Sequence, residues 1–253
     1  MKRANYHTHT ARCKHATGTE REYIEAAIKA GIEVLGFSDH VPQPYKEFVS
    51  GIRMDMEQLP EYFETLLALK EEYKDKIAIK IGFEVEYIPQ LFEELMGKLR
   101  DYPVDYLIMG QHFLDEEVPA NYVGRPSQDP CKLEKYVDYV LEGLETGAFS
   151  YLAHPDLPNF TGDEVWYEKQ MTRLCEGCKA LGIPLEINKA GVCENKHYPN
   201  ENFWKIAAKV GNEVILGYDA HGPQALLEEE IYQMCLLWAR GMGIAVNEGF
   251  RIG

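Results

Sequence analysis

The sequence predicts an α/β fold of repeated βα units around a parallel sheet, on three observations. Short β-rich runs alternate with helical segments of about 10 to 20 residues. The long connections fall after strands, where the catalytic loops of a β/α barrel lie. Histidines and acids gather where the predicted strands end. At 253 residues the chain suits one large α/β unit, since barrels commonly run to about 250 residues.

The first strand covers residues 3–6. Thr19-Glu-Arg-Glu22 is a capping box, opening a helix that carries Tyr23, Ala26, Ala27 and Ala30 and stops at Gly31. Further strands are predicted at residues 33–38, 77–86, 105–110, 150–153, 184–188 and 213–217, seven in all. Helices fall between them at 56–73, 89–100, 132–146, 163–181 and 201–210, with a last one at 223–240. No low-complexity tract, Ser/Gly linker or change of composition divides the chain, so residues 1–253 read as a single domain. The connections 41–55 and 114–130, rich in Pro, Gly and acids, are candidate substrate-facing loops.

Hydrophobic residues at 45% and charged residues at 26% suit a globular chain with a sizeable core and argue against disorder. Twenty-six basic against 41 acidic residues give a net charge of -15, which repels nucleic-acid backbones. No apolar run follows Lys2-Arg3, and no stretch approaches the roughly 18 apolar residues of a membrane helix. A cytoplasmic protein without a membrane partner is expected; its oligomeric state is left open. Six cysteines lack a disulfide framework, and Cys175-Glu-Gly-Cys178 falls inside a helical pattern with no second pair, so reduced thiols are expected.

The chemistry is carried by the strand exits. The first strand runs into His7-Thr-His9, the second into Ser38-Asp-His40, and the fourth into Gln111-His112. The fifth ends in Ala153-His-Pro-Asp156 and the seventh in Asp219-Ala-His221, while the third contains Glu84-Val-Glu86. Taken singly, each histidine is more often a hydrogen-bonded core or surface residue. Six of eight histidines at strand exits, which share one face in a parallel barrel, instead point to a metal site. Imidazole with carboxylate oxygen favours zinc, manganese or iron over calcium. His7 and His9 lie two apart in an extended segment and grip from one side, as do Glu84 and Glu86, of which only one need be a ligand. His15 lies close enough in sequence to return to the mouth. Asp39 and Asp156 are read as groups that orient ligand imidazoles, and Glu86 and His197 as solvated or supporting residues.

His7-Thr-His9, Cys13-Lys-His15, Ser38-Asp-His40, Gly82-Phe-Glu84-Val-Glu-Tyr87, His112-Phe113, Ala153-His154, Leu185-Glu-Ile-Asn188 and Gly217-Tyr-Asp-Ala-His221 follow one another across nearly the whole chain. In that order they resemble the polymerase and histidinol phosphatase (PHP) family, specifically its histidinol-phosphatase branch. The resemblance implies a distorted seven-stranded (β/α)7, TIM-like barrel with a trinuclear metal centre of zinc, manganese or iron. It assigns His7, His9, Glu84 and Asp219 to one ion. Glu84 bridges to a second held by His112 and His154, and His15, His40 and His221 hold a third. It further implies hydrolysis of a small phosphorylated substrate by a metal-bridging hydroxide. Asp219 or His154 then guides the hydroxide or protonates the leaving alkoxide.

The chain departs from the pattern in one respect. Histidinol phosphatases of this type generally carry phosphate-holding arginines after the fifth and sixth strands, and residues 156–162 and 190–198 contain none. Lys189 and Lys196 stand near the second position, and Arg12, Lys14, Arg53 and Arg125 lie in other mouth loops. Lys189, Lys196, Arg12 and Arg125 are therefore the substrate-binding candidates. Hydrolysis of L-histidinol phosphate ranks first and hydrolysis of another small phosphate ester second, on account of the missing arginines. A metal-dependent exonuclease is opposed by the acidic charge and the absence of a polymerase segment. A non-enzymatic metal-binding protein is opposed by the full ligand set.

Overall fold

Six strands form among the described residues: β1 (Arg3–Asn5), β2 (Ile32–His40), β3 (Ala78–Val85), β4 (Tyr106–Met109), β5 (Leu185–Asn188) and β6 (Val214–Gly217). The computed structural model describes residues 3–46 and 48–253. Met1 and Lys2, part of the N-terminal reading, and Glu47, within the 41–55 connection, lie outside the described residues. The strands pair in parallel as a four-stranded sheet, β1-β2-β3-β4, and a two-stranded sheet, β5-β6. The result is an α/β fold with a curled parallel sheet rather than seven separately formed strands.

The predicted strand at 150–153 is the one that does not form. Leu152 alone bridges Met109 on one side and Leu185 on the other. The segment is short, and the chain leaves the extended region at His154, whose φ is 29°, so neither ladder can lengthen. A further parallel bridge joins Thr8 to Ala220, just beyond β1 and β6.

The helices are α1 (Glu20–Lys29), α2 (Leu59–Glu72), α3 (Phe92–Leu99), α4 (Pro130–Glu145), α5 (Glu164–Leu181), α6 (Lys189–Cys193), α7 (Glu201–Val210) and α8 (Glu229–Gly241). The capping box predicted for α1 is present: the Glu22 amide donates to the Thr19 hydroxyl at 3.3 Å, and the Thr19 amide donates to the Glu22 carboxylate at 2.7 Å. The helix predicted at 56–73 begins as a 3-10 turn, Met56–Gln58, before α2. The one predicted at 223–240 divides at Glu228, whose φ/ψ of -79°/68° is not helical. The short α6 falls where no helix is predicted; Asn188 caps it by accepting from the Gly191 amide at 3.1 Å.

Strand alternation sorts the side chains into two layers. Leu35 and Phe37 of β2, Ile81, Phe83 and Val85 of β3, and Leu185 and Ile187 of β5 belong to the large core shared with the helices. The opposite set, Tyr6, Tyr106, Ile108, Tyr151, Ala153 and Ile215, forms a second apolar cluster drawn from both sheets. Gly82 and Gly36 make room for Tyr106, since a Cβ at either would overlap its side chain. On the same strand faces as this inner cluster lie His40, Glu84 and Glu186, so one periodicity sets both the apolar interior and the polar mouth.

Cys175 and Cys178 sit buried on α5, and all six cysteines are free thiols. Burial pushes the Cys178 thiol up to about 12, which disfavours the reactive thiolate. No helix among the described residues is long and apolar enough to cross a membrane.

Candidate metal centre

Glu84 is the hub of the strand-exit cluster. It sits near the end of β3, opposite His40 of β2 in register, and is 1% exposed. Its carboxylate lies 2.8 Å from His154 Nε2, 3.0 Å from His40 Nδ1, and 3.5 Å from both His7 Nε2 and His112 Nε2. His9 Nε2 is 3.6 Å away. Space for this carboxylate comes from Gly110, where a Cβ would overlap Glu84 Oε1. Gly110→Ala is expected to displace Glu84 and lower metal affinity while leaving the far-ultraviolet circular dichroism unchanged; unaltered metal binding would show that the glycine has no part in the site.

Asp219 forms the second acidic centre, 3.1 Å from His9 Nε2, 3.3 Å from His221 Nδ1 and 3.5 Å from His7 Nε2. His154 and Asp219 both have positive φ, 29° and 49°, conformations that cost a non-glycine residue on the order of 1–3 kcal/mol and gather at functional sites. Each lies just past an extended segment and turns its side chain back to the cluster. The remaining imidazoles pack ring to ring: His9 on His221 at 4.1 Å, His9 by His40 at 4.4 Å, His15 on His221 at 4.7 Å and His112 by His154 at 4.8 Å. The structure therefore brings together all nine predicted ligands: His7, His9, His15, His40, Glu84, His112, His154, Asp219 and His221.

The donor set fits cations. His7 Nε2, both ring nitrogens of His9, Glu84 Oε2 and His221 Nε2 are buried without a hydrogen-bond partner, a cost that proteins rarely leave uncompensated. Ligand atoms of His7, His9 and Glu84 lie within 4.8 Å of one another, as do those of His7, His154 and Asp219 and those of His9, His40 and His221. The electrostatics agree. Burial opposes charge throughout, yet the imidazoles hold Glu84 and Asp219 well below the usual carboxylate range. Against its own burial, the Asp219 and Asp39 carboxylates raise His9 to about 9, while burial and then the charge on His9 lower His221 to about 3. Metal-free His9 thus holds a proton at neutral pH that a metal must displace. Zinc affinity is expected to rise from about pH 6 to about pH 9 with proton release on binding, checked by calorimetry in buffers of different ionisation enthalpy; affinity flat with pH would contradict it.

A second set of residues holds the imidazoles. Glu186 on β5, buried and absent from the predicted site, accepts from His7 Nδ1 at 2.9 Å and so turns Nε2 toward Glu84 and Asp219. Its signal is in the sequence: a charged residue in a buried strand, two positions from Asn188. Glu86 is not solvated but 1% exposed; it accepts from His112 Nδ1 at 3.0 Å and is gripped by Arg53 at 2.8 and 3.0 Å. Asp39 lies 3.6 Å from His9 and accepts from the Thr10 hydroxyl. Asp156 orients no imidazole: its carboxylate accepts from the Asn200 amide at 2.6 Å and Trp204 Nε1 at 2.8 Å, anchoring the start of α7. Such supporting partners typically carry 10–100-fold in metal affinity, the loss expected for Glu186→Gln in a competitive chelator titration.

Among the substrate-binding candidates, Lys189 is 0% exposed and bound to Glu228 at 2.5 Å and the Ala225 carbonyl at 2.8 Å, so the structure does not bring it to the mouth. Arg12 is engaged by Glu20 and Glu61. Arg125 is exposed and donates to the Pro119 carbonyl at 3.3 Å. Lys196 pairs with Glu194 at 2.9 Å, 38% exposed. Arg53, named with the mouth loops, is fully engaged by Glu86 and Glu117. His197 lies apart from the cluster, bonded to the Leu157 carbonyl at 2.7 Å.

A curled parallel sheet that gathers imidazoles and carboxylates at its strand ends defines the class: an α/β protein with a donor cluster suited to divalent metal. The PHP domain family matches residues 5–190. The chain belongs to the PHP family. It is similar to the probable histidinol-phosphatase of Deinococcus radiodurans, 34% identical over 233 residues that cover 86% of this chain and 85% of that one. A probable histidinol-phosphatase of Schizosaccharomyces pombe is 25% identical over 249 residues, 86% of this chain and 80% of its own. In fold the chain is similar to the Lactococcus lactis histidinol phosphate phosphatase, whose crystal structure is a complex with zinc, L-histidinol and phosphate. That likeness has a TM-score of 0.71 at 19% identity and covers 97% and 95% of the two chains.

Proposed function

We propose that this protein is a metal-dependent phosphomonoesterase that hydrolyses L-histidinol phosphate to L-histidinol and phosphate. The single observation that carries the reading is the buried Glu84 carboxylate ringed by five imidazoles within 3.6 Å, in a chain 34% identical to a probable histidinol-phosphatase over most of both lengths. His7, His9, Glu84 and Asp219 would hold one ion, Glu84 with His112 and His154 a second, and His15, His40 and His221 a third, each zinc, manganese or iron. We take residues 1–253 as one PHP domain. In it the two sheets are staves of one distorted barrel, with 150–153 the seventh.

Bound divalent ions activate water near neutral pH and neutralise charge on the phosphoryl oxygens. The chain supplies the rest. Asp219, kept ionised by His7 and His9, orients the attacking water and accepts its proton. His154 presents Nε2 to Glu84, on the side where it would help hold an ion, and the proton taken up by Asp219 passes to the leaving alkoxide. Burial of His7, His9 and Glu84 excludes bulk water and strengthens each of these interactions.

The test is phosphate release by purified protein with added manganese or zinc, measured against L-histidinol phosphate and a panel of phosphomonoesters. L-histidinol phosphate is expected to lead in kcat/KM by at least about tenfold. Preference for another ester would overturn the substrate and keep the chemistry. No release from any ester, with metal bound, would overturn the enzyme reading.

A further inference from the structure

One buried cysteine stands apart from the others. Cys175, Cys178 and Cys235 belong to the large apolar core, whereas Cys13, 0% exposed, belongs to neither apolar cluster of the described residues. Its surroundings are the donor cluster instead: the Cys13 sulfur, one ring nitrogen of His15 and one of His221 all lie within 4.8 Å of one another. The same bound joins the sulfur to a ring nitrogen of His9 and an oxygen of Asp39. Both ring nitrogens of His9, itself 0% exposed, are without a hydrogen-bond partner.

Local backbone chemistry builds this approach. Ala11–Cys13 form a single 3-10 turn, capped by the Thr10 hydroxyl, which accepts from the Arg12 amide at 3.3 Å. Lys14 then takes a left-handed φ of 69°, which a non-glycine residue keeps only where its surroundings hold it. Here the Lys14 ammonium is pinned by the Ser50 carbonyl at 2.7 Å and Asp55 at 2.9 Å. The reversal returns His15 to Cys13, and His15 Nδ1 donates to the Cys13 carbonyl at 2.7 Å. His221 Nδ1 likewise donates to the Asp219 carbonyl at 3.2 Å. With the proton on Nδ1, each ring keeps its lone pair on Nε2 for a metal. The Ala16 amide donates to Cys13 Sγ at 3.3 Å, so the sulfur is already an acceptor and charge on it would be stabilised.

We propose that Cys13 Sγ is a further ligand of the ion assigned to His15, His40 and His221, and that it makes zinc preferred there over manganese. Three neutral imidazoles bring no charge to a dication; the thiolate supplies one. Ligation replaces the S–H bond with a sulfur–metal bond, and the proton leaves to solvent. Thiolate is a soft donor that suits zinc, whereas manganese is suited by carboxylate, carbonyl and water. This rests on the metal-centre reading above and not on the substrate.

The probe is cobalt(II), added under argon to the chelator-stripped full chain, because thiolate ligation gives it a near-ultraviolet sulfur-to-metal charge-transfer band that imidazole and carboxylate do not give. The wild-type protein should show the band. Cys13→Ser should lose it and bind zinc at least about tenfold more weakly, the low end for groups that only support a ligand, with a smaller loss for manganese. Cys193→Ser, at an exposed thiol, should keep the band. No band in cobalt-loaded wild type, which needs no variant to fold, or a band that persists in Cys13→Ser would overturn the ligation. Equal losses for zinc and manganese would overturn the preference. A band in a protein that releases phosphate from no ester would overturn the phosphomonoesterase reading and leave the ligation standing.

Discussion

Glu84→Gln is expected to remove bound metal and phosphate release together, the latter by on the order of 10³-fold or more. The substitution conserves size and takes away only the charge. No other residue in the cluster has its position: His7, His9, His40, His112 and His154 all approach its two oxygens within 3.6 Å. A neutral amide would donate where these nitrogens need an acceptor or a shared cation, and the imidazoles would lose the carboxylate that offsets a metal's charge. Metal analysis and a phosphate assay on the same preparation check it. A glutamine variant that keeps both metal and activity would show that the cluster is a structural polar core.

Arg53→Met carries the largest expected effect on stability. Its guanidinium, 1% exposed, donates to both oxygens of Glu86 at 2.8 and 3.0 Å, to Glu117 at 2.7 Å and to the Val41 carbonyl at 3.1 Å. One side chain thereby ties the 41–55 and 114–130 connections to the end of β3. Removing one partner of a buried ion pair strands the other, a loss of about 3–5 kcal/mol to be read from the urea midpoint. The pair also sets a pH dependence. Burial alone would raise Glu86, but Arg53 and then His112 hold it far below the ordinary carboxylate range. Its contribution is therefore present above that range and is lost as the pH falls. Arg53→Met should lose much of this acid sensitivity and, because Glu86 orients His112, weaken metal binding as well. Wild-type stability in the variant would refute the account of this network.

The strand-exit histidines are legible in the sequence because a parallel α/β fold converts short-range pattern into a shared face. His7 and His9 lie two apart in extended chain, and Glu84 and His40 end neighbouring strands. The α1 capping box is local chemistry and appears where the residues place it. Less local features are harder to read. Residues 150–153 look like a strand in composition, but the left-handed turn at His154 limits them to single bridges. Arg53 and Glu86 are 33 apart in sequence and nothing local couples them, so the sequence leaves Glu86 as either solvated or supporting, and the structure makes it supporting, buried and paired. Lys189 reads as a mouth cation because it follows β5, whereas the cap on Asn188 winds it into α6 and turns its ammonium to Glu228. Glu186 could have been found from its place in a buried strand. The division of ligands among ions comes from the family resemblance alone, since one cluster of overlapping donors is compatible with several groupings.

The most direct test of the central claim is a metal titration of the chelator-stripped protein, following phosphate release from L-histidinol phosphate together with bound metal per chain. The account predicts a stripped protein that stays folded without activity and regains it in proportion to manganese or zinc bound at this cluster, with no recovery in Glu84→Gln. Full phosphate release from verified metal-free protein would contradict it.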